Sequence, residues 1–429
     1  MRLRMHSRNP LSYWLMRAQG AQAGPHLDVL RNRQFRSYLA ASLFESIGFW
    51  SQFIIVAYVL IRDGGSATHL GLAAAIAGIP AIVLTFYGGA IADHVPRRLI
   101  VVGAELILAA NAFALAILEA TGELSFTLIY LSIGLASVTS GFGMPALMSI
   151  ARDLVEPDQL ASAISLDSLK RNSTKLIGPA LGAAVLGLAG ASWAFALDGL
   201  AFLSFAIVVL GLKFNQRLAT GKRRTLTDIR EAFDTAIADP RIGAVLLIIV
   251  GVGLFGINEM VMCPLLARHV LGAGPGAFGM TVSAAGAGSI IGGIVSLCLP
   301  AVTIRRVVVS AAGLALSLVA MGMVGDLPQA TLPLLVIWGC FGTLMLTGAS
   351  ALLQALTPAE LEGRMMSFYA LGIMGTTPLG SVLLALLVGY SDIEFGLMLF
   401  GLASLACVIV GLAYVVRRQA WQTRVSQRR

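Results

Sequence analysis

The chain has 429 residues, of which 57% are hydrophobic and 12% are charged, and its mean hydropathy is +0.84. A soluble globular protein could not keep so many apolar side chains off its surface, so the composition excludes that class and predicts that lipid surrounds most of the chain. The formal net charge of +8 is then typical of basic loops that orient membrane helices, rather than of a surface that binds nucleic acid.

Continuous apolar runs recur along the whole chain. Each run reaches the length of about 20 residues that a helix needs to cross a bilayer, and none alternates with polar residues as the strands of a barrel would. The predicted spans are 36–61, 68–92, 99–119, 125–149, 161–187, 192–212, 242–266, 275–299, 306–325, 329–354, 364–390 and 395–416. The predicted fold class is an all-α integral membrane protein with twelve transmembrane helices in two six-helix halves.

These spans divide the chain into five segments. The predicted segments are an amino-terminal tail at 1–35, a first half at 36–212, a linker at 213–241, a second half at 242–416 and a basic carboxy-terminal tail at 417–429. Inside the linker, apolar residues recur at helical spacing from Thr225 to Asp239. This spacing predicts an amphipathic helix on the membrane surface that tethers the two halves.

The basic residues favour one orientation in the membrane. An even number of spans places both termini on the same side, and all Lys and Arg residues except Arg62 and Arg268 then lie in or beside the loops of that side. Such an excess marks the cytoplasmic side. We therefore expect a multi-pass protein of the inner, or plasma, membrane with both termini and the linker in the cytoplasm.

The sequence does not favour an enzyme or an ATP-driven pump. It contains no Gly-rich phosphate loop followed by Lys and Ser or Thr, and all five histidines fall in predicted tails or loops. The four cysteines lie inside apolar runs without the spacing of metal ligands. We therefore expect no catalytic residue, no cofactor, no metal site and no nucleic-acid partner.

A charged turn between the second and third spans has a counterpart in the second half. Gly88-Gly89 is followed by Asp93, Pro96 and Arg97-Arg98, and the later copy has Gly292-Gly293, Pro300 and Arg305-Arg306. In both copies six residues separate the Gly pair from the Pro. A repeated pattern of this kind predicts that a membrane-embedded half was duplicated, as in secondary transporters.

The turn also resembles that of a known family. Gly89, Asp93 and Arg97-Arg98 stand in register with the loop between the second and third helices of the major facilitator superfamily, whereas His94 and Pro96 replace its usual basic residue and glycine. Segments similar to the exporter branch of the enterobactin exporter and the macrolide efflux proteins are NRQFR at 32–36, LIGPALG at 176–182 and LTPAELEGR at 356–364. The resemblance implies the superfamily fold and secondary active transport by alternating access.

The predicted cytoplasmic gate consists of Gly89, Asp93, Arg97, Arg98 and Asp153. The carboxylate of Asp93 is expected to accept hydrogen bonds from the arginines, and the resemblance implies that it also faces the positive amino-terminal end of the eleventh helix. Asp153 is a second acid for either arginine. The alternative is that these residues only form a tight turn, because an exposed pair contributes less than about 1 kcal/mol.

Polar residues inside the spans are candidates for a proton and substrate cavity, because a charge near the midplane costs at least about 2.5–3.5 kcal/mol. Glu45 is the main candidate for taking up and releasing a proton as access alternates. The alternative is a protonated carboxyl that only bonds neighbouring helices. Further candidates are Glu105, Asp198, Asn258 and Glu259. The last two are expected near the centre, since the seventh span repeats the first, whereas packing alone explains Asp198 equally well.

The fifth span carries two further features. Asp167, Lys170 and Arg171 share one helical face, where mutual neutralisation favours a structural role. A second feature is the predicted helix kink, which comprises Gly178, Pro179 and Gly182. Bending there would contribute to alternating access, and the glycines would let a neighbouring helix approach closely.

Together these features predict a monomeric secondary active transporter, an antiporter that couples proton entry to efflux of a small amphiphilic molecule, either a drug or a siderophore. Import of a metabolite and flipping of a lysolipid stay open within the same fold, as does a non-transporting membrane subunit or sensor. Many proton-driven members carry an arginine in the fourth span, and Tyr130 to Ile150 contains none. This absence leaves the coupling ion open. Nothing in the sequence gives the direction of transport or the substrate.

Overall fold

The computed structural model describes residues 27–92, 95–156, 159–213, 239–270, 272, 274–299, 302–324, 327–358 and 361–426. Within these ranges all regular secondary structure is helical. Two short 3-10 helices, Leu27–Arg31 and Ala151–Leu154, accompany the longer α-helices. The predicted amphipathic linker helix lies outside the described residues, apart from its last residue, Asp239.

The α-helices of the first half are α1 Arg33–Arg62, α2 Ala67–Ala92, α3 Arg97–Thr121, α4 Phe126–Ile150 and α5 Leu160–Gly211. Helix α1 begins at Asn32, whose side chain accepts hydrogen bonds from two backbone N–H groups of the first turn. Helix α5 is two helices joined at Gly190, where φ is 85°, a left-handed value that favours glycine. Helix α5 therefore supplies both the fifth and the sixth predicted spans.

The α-helices of the second half are α6 Pro240–Phe255, α7 Glu259–Val270, α8 Pro275–Cys298, α9 Ile304–Val324, α10 Pro328–Leu356, α11 Glu362–Met374, α12 Thr377–Tyr390 and α13 Ile393–Ser426. The seventh and eleventh spans were each predicted as one run and are each built from two helices, with breaks before Glu259 and Thr377. Helix α13 continues through the predicted tail from 417 to Ser426, and α6 begins inside the predicted linker.

Eleven helical stretches among the described residues are long and apolar enough to cross a bilayer, and one of them, Ser162–Gly211, covers both parts of α5. Counted as two, it gives the twelve predicted spans, and the all-helical membrane fold is confirmed. Because successive spans run in opposite directions, α1 begins and α13 ends at the same end of the bundle. We call this the terminal end, and the opposite end the far end.

The two halves meet mainly at the far end. The principal helix pairs that join them are α2 with α12 and α5 with α8. Gly71 lies against Ala385 and Gly78 against Pro378, so α2 and α12 touch at backbone distance. By contrast α11, the terminal-end piece of the same span, packs on α6 and α10 of its own half. The bundle is therefore held closed at its far end.

Candidate functional site

An apolar cavity lies between α1, α2, α4 and the start of α7. Its volume is about 230 Å³, and its lining includes Phe49, Phe53 and Met144 of the first half together with Met260 of the second. No charged side chain belongs to that lining. A small cavity with aromatic and thioether walls suits an apolar or amphiphilic molecule, since such side chains adapt to varied apolar shapes.

An ion pair between the two halves lies beside this cavity. Lys175 of α5 places its ammonium Nζ 2.7 Å from Oε1 of Glu259 at the start of α7. The same ammonium lies 5.4 Å from the centre of the Trp50 ring, within reach of a cation–π interaction. Trp50 in turn contacts Phe49 and Phe53, with ring centres 5.8 and 5.7 Å away. The apolar cavity and the ion pair are thus joined by one aromatic cluster.

The break between α6 and α7 is held by hydrogen bonds that replace helical ones. The Asn258 amide nitrogen donates to the Leu254 carbonyl at 3.1 Å, and its oxygen accepts from the Ser381 hydroxyl at 3.2 Å. The Trp338 indole donates to the Gly256 carbonyl at 3.0 Å. A broken helix at membrane depth needs such partners. Asn258 is buried in this contact and is not part of the cavity lining.

A buried charged cluster lies in the first half between α1, α3 and α5. Asp167 accepts a hydrogen bond from the Tyr38 hydroxyl at 3.3 Å, and its Oδ1 lies 3.2 Å from Nζ of Lys170. Its other oxygen pairs with Arg171. The Lys170 ammonium also lies over the Tyr38 ring. Asp167 therefore contacts the side chains of Lys170, Arg171 and Tyr38. The predicted structural face of α5 thus includes a contact with α1.

Glu45 and Glu105 belong to the same region and are 6% and 4% exposed. Glu45 lies on α1 and Glu105 on α3, and both helices pack on α5, which carries Lys170. Glu45 accepts a hydrogen bond from the Ser46 hydroxyl at 2.9 Å. Oε2 of Glu105 is buried and has no hydrogen-bond partner within the described ranges. Glu45, Glu105 and Lys170 are thus three buried ionisable side chains on adjacent helices.

Asp198 lies apart from this cluster. Its Oδ1 accepts a hydrogen bond of 2.6 Å from the Ser51 hydroxyl of α1, and it packs next to Gly48. Oδ2 is buried with no partner among the atoms described. Of the five residues predicted for one proton and substrate cavity, Glu45 and Glu105 thus lie in the charged region, Asp198 bonds Ser51, Asn258 bonds Ser381 and Glu259 pairs with Lys175.

The predicted gate residues are only partly covered by the structure. Arg97 and Asp153 form an ion pair of 3.1 Å between the start of α3 and the segment after α4. Nε of Arg98 is buried without a hydrogen-bond partner in the described ranges. Asp93 lies outside the described residues, as do the side chains around Gly89. In the later copy of the turn, Arg306 donates to the Ser296 hydroxyl at 2.6 Å.

Gly178 and Gly182 face α1 at close range. A Cβ atom at Gly178 would lie 2.7 Å from Cβ of Trp50, and one at Gly182 would lie 2.5 Å from Cβ of Ser51. Helix α5 passes through Pro179, whereas its non-helical φ and ψ values occur at Gly190. The glycines thus let α5 approach α1, which also brings Lys175 beside Trp50.

The sequence interpretation missed the contact of Lys175 with the opposite half. Lys175 was counted among basic residues beside a loop, whereas the structure places it well inside α5 and in contact with the opposite half. A signal was available, because a lysine within an apolar span is a functional candidate by default. Its partner Glu259 was predicted from the repeat relationship between the first and seventh spans.

Comparison with protein families gives one match over nearly the whole chain. Residues 25–428 match the model of a family described as transmembrane secretion effector. The chain is 23% identical over 364 residues to macrolide efflux protein A of Streptococcus pyogenes, covering 83% of this chain and 89% of that protein. It is 24% identical over 273 residues to the uncharacterized MFS-type transporter YfiS of Bacillus subtilis (strain 168), covering 61% of this chain and 64% of that protein.

Solved structures share the fold at low sequence identity. The nucleoside transporter NupG gives a TM-score of 0.69 at 14% identity, covering 89% of this chain and 99% of that chain. A bacterial homolog of the human lysosomal transporter Spinster, in an inward-facing and occupied conformation, gives 0.68 at 15% identity, covering 93% and 98%. These similarities carry the fold alone, and the proteins involved are transporters rather than enzymes.

Proposed function

This chain belongs to the transmembrane secretion effectors of the major facilitator superfamily, and from that premise we propose that it exports a small amphiphilic molecule by proton-coupled alternating access. The cavity beside the Lys175–Glu259 pair carries the proposal, because it combines apolar and aromatic walls with a polar contact between the halves. The efflux protein among its relatives supports the outward direction. Drugs and siderophores are both within this chemical range.

Alternating access would use the two ends of the bundle in turn. With α2 packed on α12 at the far end, the cavity would be reached from the terminal end. Opening the far end requires those contacts and the Lys175–Glu259 pair to separate. The opposite end would then close through Gly89, Asp93 and Arg98. The buried Nε of Arg98 supports a bond to Asp93 in that state, and the Arg97–Asp153 pair would hold the turn in shape.

Proton coupling would reside in the cluster of Glu45, Glu105 and Lys170. Neither glutamate lines the apolar cavity, so the proton and the substrate would occupy different places. Both cluster and cavity include residues of α1, with Glu45 towards the terminal end and Phe49 and Phe53 in the cavity wall. A change of charge on Glu45 would therefore act on the cavity through α1. This arrangement requires no arginine in α4.

The protein is proposed to lie in the plasma membrane as a monomer, with both termini and the linker in the cytoplasm. The distribution of basic residues supports this orientation, because Arg62 and Arg268 both lie at the far end. Arg62 pairs with Glu119 there, and Arg268 donates to the Gly65 carbonyl at 2.7 Å. The remaining basic loops mark the terminal end as cytoplasmic. The proposed halves are 36–212 and 242–416.

Uptake into inside-out membrane vesicles tests the function. In these vesicles the interior corresponds to the outside of the cell, so an exporter accumulates its substrate. The panel should contain amphiphilic dyes, antibiotics and siderophores, each with and without an acidic interior. We expect accumulation of at least one amphiphile that requires the acidic interior. Absence of accumulation for every compound in well-expressed vesicles would contradict the proposal and favour a sensor or subunit.

A further inference from the structure

We propose that Glu259 and Trp50 form a binding site for the cationic group of the substrate, and that Lys175 occupies this site when no substrate is bound. The inference rests on the proposed function and narrows its substrate to amphiphiles with one positive charge. The Lys175 ammonium has two contacts at this site. The Glu259 carboxylate lies 2.7 Å from it, and the centre of the Trp50 ring, over whose face it lies, is 5.4 Å away.

These two groups are the usual partners of a buried ammonium ion. The carboxylate of Glu259 supplies the opposite charge, and the negative face of the Trp50 ring attracts cations and repels anions. A substrate ammonium would find the same two partners in place of Lys175. A substrate anion would find only Lys175, whose charge Glu259 already neutralises. The site therefore selects positive charge.

The site is accessible without unfolding any helix. The side chain of Lys175 is 45% exposed and that of Glu259 is 23% exposed. An ion pair with this exposure is weak because water screens it, so a ligand cation can replace the lysine. The released ammonium would remain in contact with water in the space between the halves.

The cation site adjoins the apolar cavity. Phe49 and Phe53 line the cavity and also contact Trp50. Met260, the residue after Glu259, belongs to the same lining. A molecule with an apolar body in the cavity would thus place a cationic group near Glu259. Its binding would also remove one bond between the halves, since Lys175 and Glu259 come from opposite sides of the cleft.

Two probes of the same shape and opposite charge test the selection. Tetraphenylphosphonium is a lipophilic cation and tetraphenylborate is its anionic counterpart. Dissociation constants are measured on the full chain in detergent, with protein-free micelles as the blank. We expect the cation to bind about tenfold or more tightly than the anion, because Glu259 and the face of the Trp50 ring attract positive charge and repel negative charge. Equal affinities would overturn the proposal.

Variants of the ion pair separate this role from a structural one. Glu259→Gln should weaken binding of the cation about tenfold and leave the anion no weaker. Lys175→Gln should strengthen binding of the cation, because the competing ammonium is gone, whereas Lys175→Arg should not. If the pair served only to hold the halves together, both neutral variants would change binding in the same direction. That outcome would also overturn the proposal.

Further variants exclude a folding artefact. Trp50→Leu should weaken binding of the cation, and Trp50→Phe should retain most of it. Glu123→Gln is the matched control, since Glu123 is exposed in the turn between α3 and α4. The gain with Lys175→Gln cannot arise from unfolding. If vesicles accumulate other amphiphiles while tetraphenylphosphonium fails to bind, the cation site is refuted and the export function stands.

Discussion

The two halves of this transporter use different chemistry at corresponding places. In the first half, buried charged side chains lie between the first, third and fifth spans, and they include Glu45, Glu105, Asp167 and Lys170. In the second half, the polar side chains that are buried in the seventh, ninth and eleventh spans of the described chain carry no charge. They include Asn258, Ser310, Ser317 and Ser381. The charged side chains buried among the described residues are thus concentrated in the first half.

The difference in buried charge between the halves bears on which half moves the proton. Buried charges cost free energy unless they are paired, and they persist in the half proposed to move the proton. Uncharged hydroxyl and amide groups suffice in the other half, where Asn258 and Ser381 bond the break between α6 and α7. Glu259 is the exception on that side, and it is exposed to the cleft and paired with the first half.

The largest effect is expected when the buried cluster loses its central acid. Asp167→Asn leaves the buried Lys170 without its carboxylate and should lower the free energy of unfolding by about 3–5 kcal/mol. The measurement is unfolding of purified protein in detergent. Ser317→Ala is the control from the ninth span, because its hydroxyl donates only within its own helix, to the Leu314 carbonyl at 2.7 Å. It should change stability by less than about 0.5 kcal/mol. Equal losses of stability in the two variants would contradict the proposed difference between the halves.

A smaller effect is expected where the halves meet. Gly78→Leu places a side chain where Pro378 already lies, so the far end cannot close as it does here. Overpacking costs about 1–3 kcal/mol. If this cost destabilises only the state with a closed far end, transport should fall about tenfold. Spin labels at Asp63 and Asp392, in a background without the native cysteines, should move apart.

The control for that experiment is Gly103→Leu in α3. A Cβ atom at Gly103 would meet nothing within 4 Å, so neither transport nor the label distance should change. Both labelled positions are exposed and lie in far-end turns of opposite halves. An unchanged distance in Gly78→Leu would mean that the contact of α2 with α12 does not govern closure.

The smallest effect is expected at the repeated turn. The Arg97–Asp153 pair is mostly buried, and a double-mutant cycle with Arg97→Gln and Asp153→Asn should give a coupling energy of about 1 kcal/mol in the free energy of unfolding. In the second copy Arg306 donates to the uncharged Ser296, so the cycle with Ser296→Ala should give a smaller value. A larger coupling in the second copy would reverse the comparison at the turns.

The sequence was sufficient for the membrane-spanning helices, because long apolar runs are local signals. It was insufficient for the faces of those helices. Helices that are apolar all round have no periodic pattern that points a residue inward. Glu45 and Glu105 were therefore predicted to share one cavity with Asp198 and Asn258, whereas packing places the last two against Ser51 and Ser381.

Helix breaks and contacts between the halves were also beyond the sequence interpretation. Gly256 and Gly375 lie among many glycines of the spans, and nothing local marks them as breaks. Lys175 lies on the same helix as Lys170 and Arg171, which made it resemble another loop-side residue. Its role depends on Glu259 of the opposite half, and only the assembled bundle brings the two together.

The proposal that the first half moves the proton through Glu45 can be tested by substrate transport with and without a pH gradient. Vesicles with wild-type protein or Glu45→Gln are measured for accumulation driven by an acidic interior, and for exchange of labelled against unlabelled substrate with no gradient. We expect Glu45→Gln to lose the driven accumulation and to retain exchange. Full driven accumulation in Glu45→Gln, or loss of both activities, would contradict the proposal.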